Sequence, residues 1–265
     1  MIDLHCHMVP GIDDGAPDLE TALAMARVAV ADGIQVTACT PHIFPGLYEN
    51  TGPGIRQAVA ALQAELDKAE IPLTLTTGAD VQLCRDLVPG LKSGRILSLA
   101  DSRYFLFEPP HHTAPPRIED QVFASMAAGY HPIITHPERL HWIESHYETM
   151  QRMAKAGAWM QLTSGSVTGR FGKRPQYWSE RMLDEGIVHI LATDGHNLRN
   201  RTPLLSPARD AVAARLGDKA AIDMVLTRPK AVLENLPPSR LPDPVGAQKP
   251  SATGFRFLRR LFQAA

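Results

Sequence analysis

A chain of 265 residues, 44% hydrophobic and 21% charged, has the composition of a soluble globular protein and the length for one large core. Its formal net charge of −1 excludes a global electrostatic pull toward nucleic acid or anionic membrane. The three cysteines, Cys6, Cys39 and Cys84, have neither paired nor zinc-ribbon spacing, which excludes a disulfide scaffold and points to a reducing cytoplasm.

Met1-Ile2-Asp3-Leu4 reads as a strand starting at the first residue, so no signal peptide is expected. Side chains alternate along a strand, which places His5 and His7 on one face and Cys6 on the other. Asp13-Asp14-Gly15 is a turn. Asp18 caps a helix carrying Leu19, Leu23, Ala26 and Val30 at helical spacing, ended by Gly33. Residues 34–40 form a strand that leads into Pro41-His42. A second helix carries Ile55, Val59, Leu62 and Leu66, and a strand over 73–77 is followed by Gly78-Ala79-Asp80. The stretch 81–98 has no clear pattern and is broken at Pro89-Gly90. Residues 104–107 make a buried strand ending in Glu108, and a proline-rich loop over 109–116 carries His111 and His112. Ile118, Val122 and Met126 mark a helix closed by Gly129. A strand over 132–135 leads into His136-Pro137-Glu138-Arg139, a helix reaches Gly157, and a strand over 159–162 precedes Thr163-Ser164-Gly165-Ser166. After a basic loop over 170–174 comes a helix to Gly186, then a strand over 188–193 ending in Asp194-Gly195-His196, then two or three helices to about Leu236. No apolar run is long enough to span a membrane.

Strand and helix alternate seven times with helix-length crossovers, which calls for an α/β protein with a parallel sheet, a barrel or a doubly wound layer. A barrel explains more, because its functional residues gather at the C-terminal ends of many strands. His5, His7, His42, Asp80, Glu108, His136, Asp194 and His196 all stand at such ends, and only the sixth strand offers no obvious ligand. With Asp14 they make five histidines and four carboxylates, more than one tetrahedral ion takes, which points to a cluster of two or three ions. Imidazole and carboxylate without thiolate suit manganese, iron or zinc and argue against copper(I). The barrel is expected over 1–236. Residues 237–265 read as a Pro/Gly-rich linker and a basic amphipathic tail, where Phe255, Leu258 and Phe262 recur at helical spacing with Arg256, Arg259 and Arg260 as a cationic face. Such a tail suits weak docking on a membrane or a partner.

The motifs Met1-Ile2-Asp3-Leu4-His5-Cys6-His7, Asp13-Asp14-Gly15, Thr40-Pro41-His42, Gly78-Ala79-Asp80, Asp101-Ser102-Arg103-Tyr104, His136-Pro137-Glu138-Arg139 and Asp194-Gly195-His196-Asn197 resemble those of the PHP (polymerase and histidinol phosphatase) superfamily. Within it the chain is most similar, from Met1 to about Leu236, to the manganese-dependent tyrosine-protein phosphatases of bacterial capsule and exopolysaccharide gene clusters. The resemblance implies a distorted seven-stranded TIM-like barrel with a three-metal centre. It implies His5, His7, Asp14, His42, Glu108, His136, Asp194 and His196 as ligands, with Glu108 bridging. Asp80 stands where the family usually has Glu, and its shorter arm bears on one metal. The implied partner is a phosphotyrosine protein, a bacterial tyrosine kinase of polysaccharide assembly, and the implied setting is the cytoplasm.

Bound metal lowers the pKa of water toward about 7, and paired ions can hold nucleophile and phosphoryl oxygens for in-line attack. Arg139 and Arg201 lie just past ligand-bearing strand ends and match the family's phosphate-binding arginines; they are expected to bind phosphate rather than build the metal site. His111 and His112 read as solvated loop with substrate contact as the alternative, His131, His141 and His146 as non-ligands, and His189 as a packed residue. Neither Cys6 nor Cys39 has an Arg six positions on, so a cysteine-phosphatase loop is absent. Open beside the tyrosine phosphatase are a small-molecule phosphatase of the histidinol phosphate type and a non-catalytic partner of a polysaccharide-assembly kinase. A nuclease-like domain lacks a basic groove, and an amidohydrolase commonly has a carboxylated Lys where Glu108 stands.

Overall fold

Burial of the apolar stripes organises the computed structural model, which describes residues 1–247. Strands β1 (Ile2–Cys6), β2 (Val36–Cys39) and β4 (Thr74–Thr77) form one parallel sheet in the order β1-β2-β4. Strands β3 (His42–Ile43), β5 (Asp80–Gln82), β6 (Tyr104–Glu108), β7 (His131–Thr135), β8 (Trp159–Thr163) and β9 (Ile190–Ala192) form the other, in that order and again parallel. The α/β class and parallel pairing are as expected. The strands are divided between two sheets, and no closed seven-stranded barrel is found among the described residues. The cause is local: β2 and β4 stop at Cys39 and Thr77, and Thr40-Pro41 and Gly78-Ala79 interrupt the ladder before β3 and β5 resume it.

Helices α1 (Leu19–Ala31), α2 (Gly52–Lys68), α4 (Ile118–Ala127), α5 (Ile143–Lys155) and α7 (Lys173–Asp184) lie where the periodicity predicts, with the short α3 (Leu87–Ser93) and α6 (Ser164–Val167) between them. Asp18 caps α1 by accepting from Thr21 N at 2.8 Å. Pro89-Gly90 does not break 81–98 as expected. Both lie inside α3, with Pro89 in the first turn, where a missing N–H costs no intrahelical bond. Helices α8 (Ser206–Leu216), α9 (Asp218–Ile222) and α10 (Arg228–Leu233) follow, with a π-helical turn over Asp223–Thr227.

The strands separate two cores. One lies between sheets and helices and contains Cys6, Cys39, Phe105, Phe107, Met160 and Leu162. The other is enclosed by the two sheets and contains Ile2, Leu4, Tyr104, Leu106, Ile133 and Trp159. Strict alternation would put Leu4 and Cys6 on the same side. They lie in different cores because the β1–β2 register shifts between Asp3 and Cys6. This bulge turns His5 and His7 inward, above the apolar plug, and Cys6 outward.

Beyond Leu236 the chain continues along the N-terminal ends of the strands. Tyr104 Oη donates to Leu236 O at 2.7 Å, Arg228 Nη2 to Pro242 O at 3.1 Å, and Ala247 N to Asp184 O at 3.0 Å. The first residues of the expected linker therefore pack on the barrel-like body. The tail expected over Phe255, Leu258 and Phe262 lies outside the described residues. Among those described, no helix is long and apolar enough to cross a membrane.

Candidate metal centre

At the C-terminal ends of the strands the nine expected ligands converge. His5 Nε2 lies 3.1 Å from His7 Nε2, 3.4 Å from Asp80 Oδ2 and 3.5 Å from Asp194 Oδ1. Asp14 Oδ1 lies 3.4 Å from both His42 Nε2 and His196 Nε2. Glu108 spans two neighbourhoods, with Oε2 3.5 Å from His42 Nδ1 and Oε1 3.7 Å from His136 Nε2. Two donors each about 2.1 Å from one ion, at tetrahedral to octahedral angles, stand about 3.0–3.5 Å apart. Most of these spacings fit that edge and exceed an ordinary hydrogen bond. Asp80 Oδ2, Asp194 Oδ1, His42 Nδ1 and His196 Nε2 are buried without a hydrogen-bond partner. Buried polar atoms of that kind are costly unless something else satisfies them, so the residues fit a cluster of divalent cations.

The backbone holds this geometry under strain. His136 and Asp194 adopt left-handed conformations, with φ of 35° and 49°, at the exits of β7 and β9. Asp194 is fixed by donating its N–H to His5 O at 2.8 Å, while His7 N donates to Gly195 O at 2.8 Å. Buried Asp3 ties the same two strands together, accepting from Thr193 N at 3.0 Å and Thr193 Oγ1 at 2.5 Å. The Asp13-Asp14-Gly15 turn lies flat on His7. A Cβ at Gly15 would stand 2.1 Å from His7 O, so only glycine lets Asp14 come this close.

Three imidazoles are aimed by partners on their far nitrogen. His7 Nδ1 donates to Asp13 Oδ2 at 2.7 Å, His196 Nδ1 to Asp194 O at 2.9 Å, and His5 Nδ1 to Gln161 Oε1 at 2.8 Å. Each bond leaves an Nε2 lone pair facing the centre. Gln161 lies on the sixth strand, which offered no candidate ligand; its contribution is to orient His5. The carboxylates attract positive charge. Burial alone would depress His5 and His42, but Asp80 and Asp194 lift His5 to about 9, and Asp14, Asp80 and Glu108 lift His42 to about 10. His7 is pushed down to about 3 by burial and by neighbouring His196 and His42. Against the pull of burial, Arg201, His5 and Arg139 hold Asp194 well below the usual carboxylate range.

The two arginines are more tightly built in than expected. Arg201 Nη2 donates to Asp194 Oδ2 at 2.7 Å, and Arg139 Nη1 donates to the same oxygen. Asp194 thus turns Oδ1 to the imidazoles and Oδ2 to two guanidiniums. Arg139 also lies over the Phe171 ring at 5.2 Å. The thiols play no comparable part: Cys6 and Cys39 are buried and burial pushes both thiols up, away from thiolate chemistry.

A cleft of about 430 Å³ opens beside the centre, lined by Asp14, His42 and Glu108 together with Phe44, Leu47 and Tyr48. Tyr48 stacks on His42, ring centroids 5.6 Å apart at 14°. The proline loop closes one end and is not a loose segment there. Trp142 Nε1 donates to Pro110 O at 2.7 Å and His141 N to His111 O at 2.9 Å. His112 is exposed, whereas His111 Nε2 approaches Glu108 Oε1 at 3.4 Å.

Comparison with known proteins places this geometry. The family model for capsular polysaccharide synthesis, CpsB/CapC, matches residues 1–234. The tyrosine-protein phosphatase YwqE of Bacillus subtilis is 36% identical over 201 residues, 76% of this chain and 79% of that protein. The tyrosine-protein phosphatase CpsB of Streptococcus pneumoniae is 27% identical over 238 residues, 88% of this chain and 98% of that protein. A solved structure from work on YwqE and CpsB, described as metal-dependent tyrosine phosphatases, superposes with a TM-score of 0.87 at 32% identity, covering 94% of this chain and 100% of that one. With a family model matching residues 1–234 and a relative 36% identical over 76% of its length, the chain belongs to the CpsB/CapC family.

Proposed function

We propose that this chain is a metal-dependent protein-tyrosine phosphatase acting in capsule or exopolysaccharide synthesis. One observation carries the reading: eight strand-end donors and Asp14 stand at the spacing of shared metal ligands, with two guanidiniums on the rim. Manganese is the ion we assign, as the resemblance to manganese-dependent phosphatases implies; the imidazole–carboxylate donor set without thiolate suits it, as it suits iron or zinc. His5, His7, Asp14, His42, Asp80, Glu108, His136, Asp194 and His196 would hold the ions. When bound, such ions supply water of near-neutral pKa and neutralise phosphoryl charge. We read the two sheets as halves of one distorted seven-stranded barrel, in which β2 runs into β3 and β4 into β5. The parallel bridge between Cys6 and Gly195 supports that reading.

The chain's own residues do the rest. Arg139 and Arg201 stand between Asp194 and the open side, where a fork of N–H donors can receive phosphate oxygens bidentately. The aromatic and aliphatic wall of Phe44, Leu47 and Tyr48 suits a phenyl ring, with Leu47 60% exposed at the lip. An open cleft with an apolar lip favours a tyrosyl side chain borne on a larger body over a small polar ester such as histidinol phosphate. The protein substrate we infer is the tyrosine kinase of polysaccharide assembly, the setting the cytoplasm, and the catalytic unit residues 1–236. The test is turnover of a phosphotyrosine peptide against histidinol phosphate by protein freed of metal and reloaded with manganese. Preference for the peptide, lost with metal and restored by it, is expected. Preference for histidinol phosphate would overturn the substrate, and absence of turnover on both would overturn the enzyme.

A further inference from the structure

We infer that His111 is a ligand of the metal centre, binding one ion with Glu108 and His136 and offsetting the short side chain of Asp80. The inference rests on the proposed metal centre but not on which phosphate ester is hydrolysed.

The geometry of three donors carries it. Glu108 Oε1 lies 3.4 Å from His111 Nε2 and 3.7 Å from His136 Nε2. The His111 and His136 rings are 4.9 Å apart between centroids, and one donor atom from each of the three residues falls within a common 4.8 Å. At 3.4 Å the His111–Glu108 pair is too long for a charge-assisted hydrogen bond and fits two donors on one ion.

Asp80 shows why a further donor is needed. Its Oδ1 is turned away and accepts from Thr135 Oγ1 at 3.5 Å. Only Oδ2 faces the centre, and it is shared among three imidazoles: His5 Nε2 at 3.4 Å, His42 Nδ1 at 3.6 Å and His136 Nε2 at 3.9 Å. Its reach is weakest toward His136. An ion there would have Glu108 and His136 as close donors, short of the three protein ligands usual at an open catalytic site. His111 supplies the third.

The loop is built to present that ring. Bonds from Trp142 and His141 pin the carbonyls of Pro110 and His111 on either side of it, and the preceding prolines limit the backbone. The His111 side chain remains 26% exposed, so its ligand position lies at the solvent-facing edge of the cluster.

Metal content decides the matter. Protein, His111→Ala, Asp80→Glu and the double variant are loaded with manganese, and ions per chain and chelator competition are measured. His111→Ala should lose about one ion per chain, or bind its weakest ion at least 10-fold less tightly. Asp80→Glu in the His111→Ala background should recover it, and His111→Glu, which puts a carboxylate oxygen at about the reach of the imidazole Nε2, should retain it. Melting temperature of the metal-free proteins checks the fold. Parental stoichiometry and affinity in His111→Ala would overturn the inference, and failure of the double variant to recover would overturn the compensation by His111. Neither result depends on phosphatase turnover, whose absence in the fully loaded parent would instead sink the enzymatic reading.

Discussion

The two ends of the same strands both bury ionisable side chains, and they differ in how those groups are satisfied. At the N-terminal end, Arg228 is almost wholly buried and donates to His189 O at 3.3 Å and Pro242 O at 3.1 Å. His189 accepts from Met160 N at 3.1 Å and stacks on Trp159, centroids 5.2 Å apart. A cavity of about 400 Å³ lies there, comparable to the cleft at the other end. Arg228 and His189, the titratable groups set into its wall, are nonetheless tied to backbone and aromatic partners. At the C-terminal end, Asp80 Oδ2, Asp194 Oδ1, His42 Nδ1 and His196 Nε2 converge with no hydrogen-bond partner at all. Cavity size therefore does not separate a site from a structural pocket in this molecule; the state of the buried polar atoms does.

That contrast can be broken most directly at the C-terminal end. His5→Ala or His136→Ala should abolish phosphotyrosine turnover while circular dichroism shows a retained fold. Near-parental activity of either with manganese present would remove the metal assignment. Arg139→Lys and Arg201→Lys should each lower kcat roughly 10²–10³-fold, the usual cost of one oriented donor. Because both guanidiniums grip Asp194, manganese affinity should fall too, by roughly 10-fold or more. Lost turnover with unchanged metal affinity would mean that the arginines serve phosphate alone.

Most of the converging donor set was legible because a histidine or carboxylate at the end of each of many strands is a joint pattern that chance seldom makes. What was hidden is what needs three dimensions. Gln161 is an ordinary polar residue on a strand until His5 is found 2.8 Å from it. Buried Glu138, its carboxyl pushed up to about 7 by burial, reads as part of a loop motif; in the fold it accepts from Thr163 N at 3.0 Å and fastens the exits of β7 and β8. The two-residue β3 and three-residue β5 are shorter than any periodicity can register. The bulge in β1 leaves no mark either, since Leu4 and Cys6 are both apolar. His111 was read as solvated loop because the bonds that pin its backbone come from Trp142 and His141, about thirty residues on.

At the N-terminal end the contrast predicts loss of stability without loss of chemistry. Arg228→Met leaves two part-buried carbonyls without their donor, at about 1–3 kcal/mol. For a chain of this size that lowers Tm by several degrees. Manganese content and kcat of the folded protein should match the parent. A fall in metal content would mean that the two ends are coupled through the strands.

The smallest effect, and the sharpest test of the structural end, is a change in the shape of the acid limb in His189→Asn. Burial first, and the nearby Arg228 guanidinium second, push the His189 imidazole down from 6.5 to about 3. A group whose pKa is depressed in the folded state is protonated first in the unfolded chain. Its neutral form thus supports the fold fully above pH 6.5, and the support drains away as pH falls toward 3, at up to about 1.4 kcal/mol per pH unit. Asn does not titrate, and its Oδ1 can take over the bond from Met160 N that His189 Nδ1 accepts. What Asn lacks is the ring stacked on Trp159, so at pH 7 the variant should be less stable by about 1 kcal/mol. The parent should then lose stability faster on acidification, and the two denaturation curves should draw together and cross between pH 6.5 and 3. Comparing metal-free proteins by urea denaturation keeps proton competition at the metal end out of the measurement. Parallel curves across that window would show that His189 is not held neutral, and the N-terminal end would then hold an unsatisfied charge of its own.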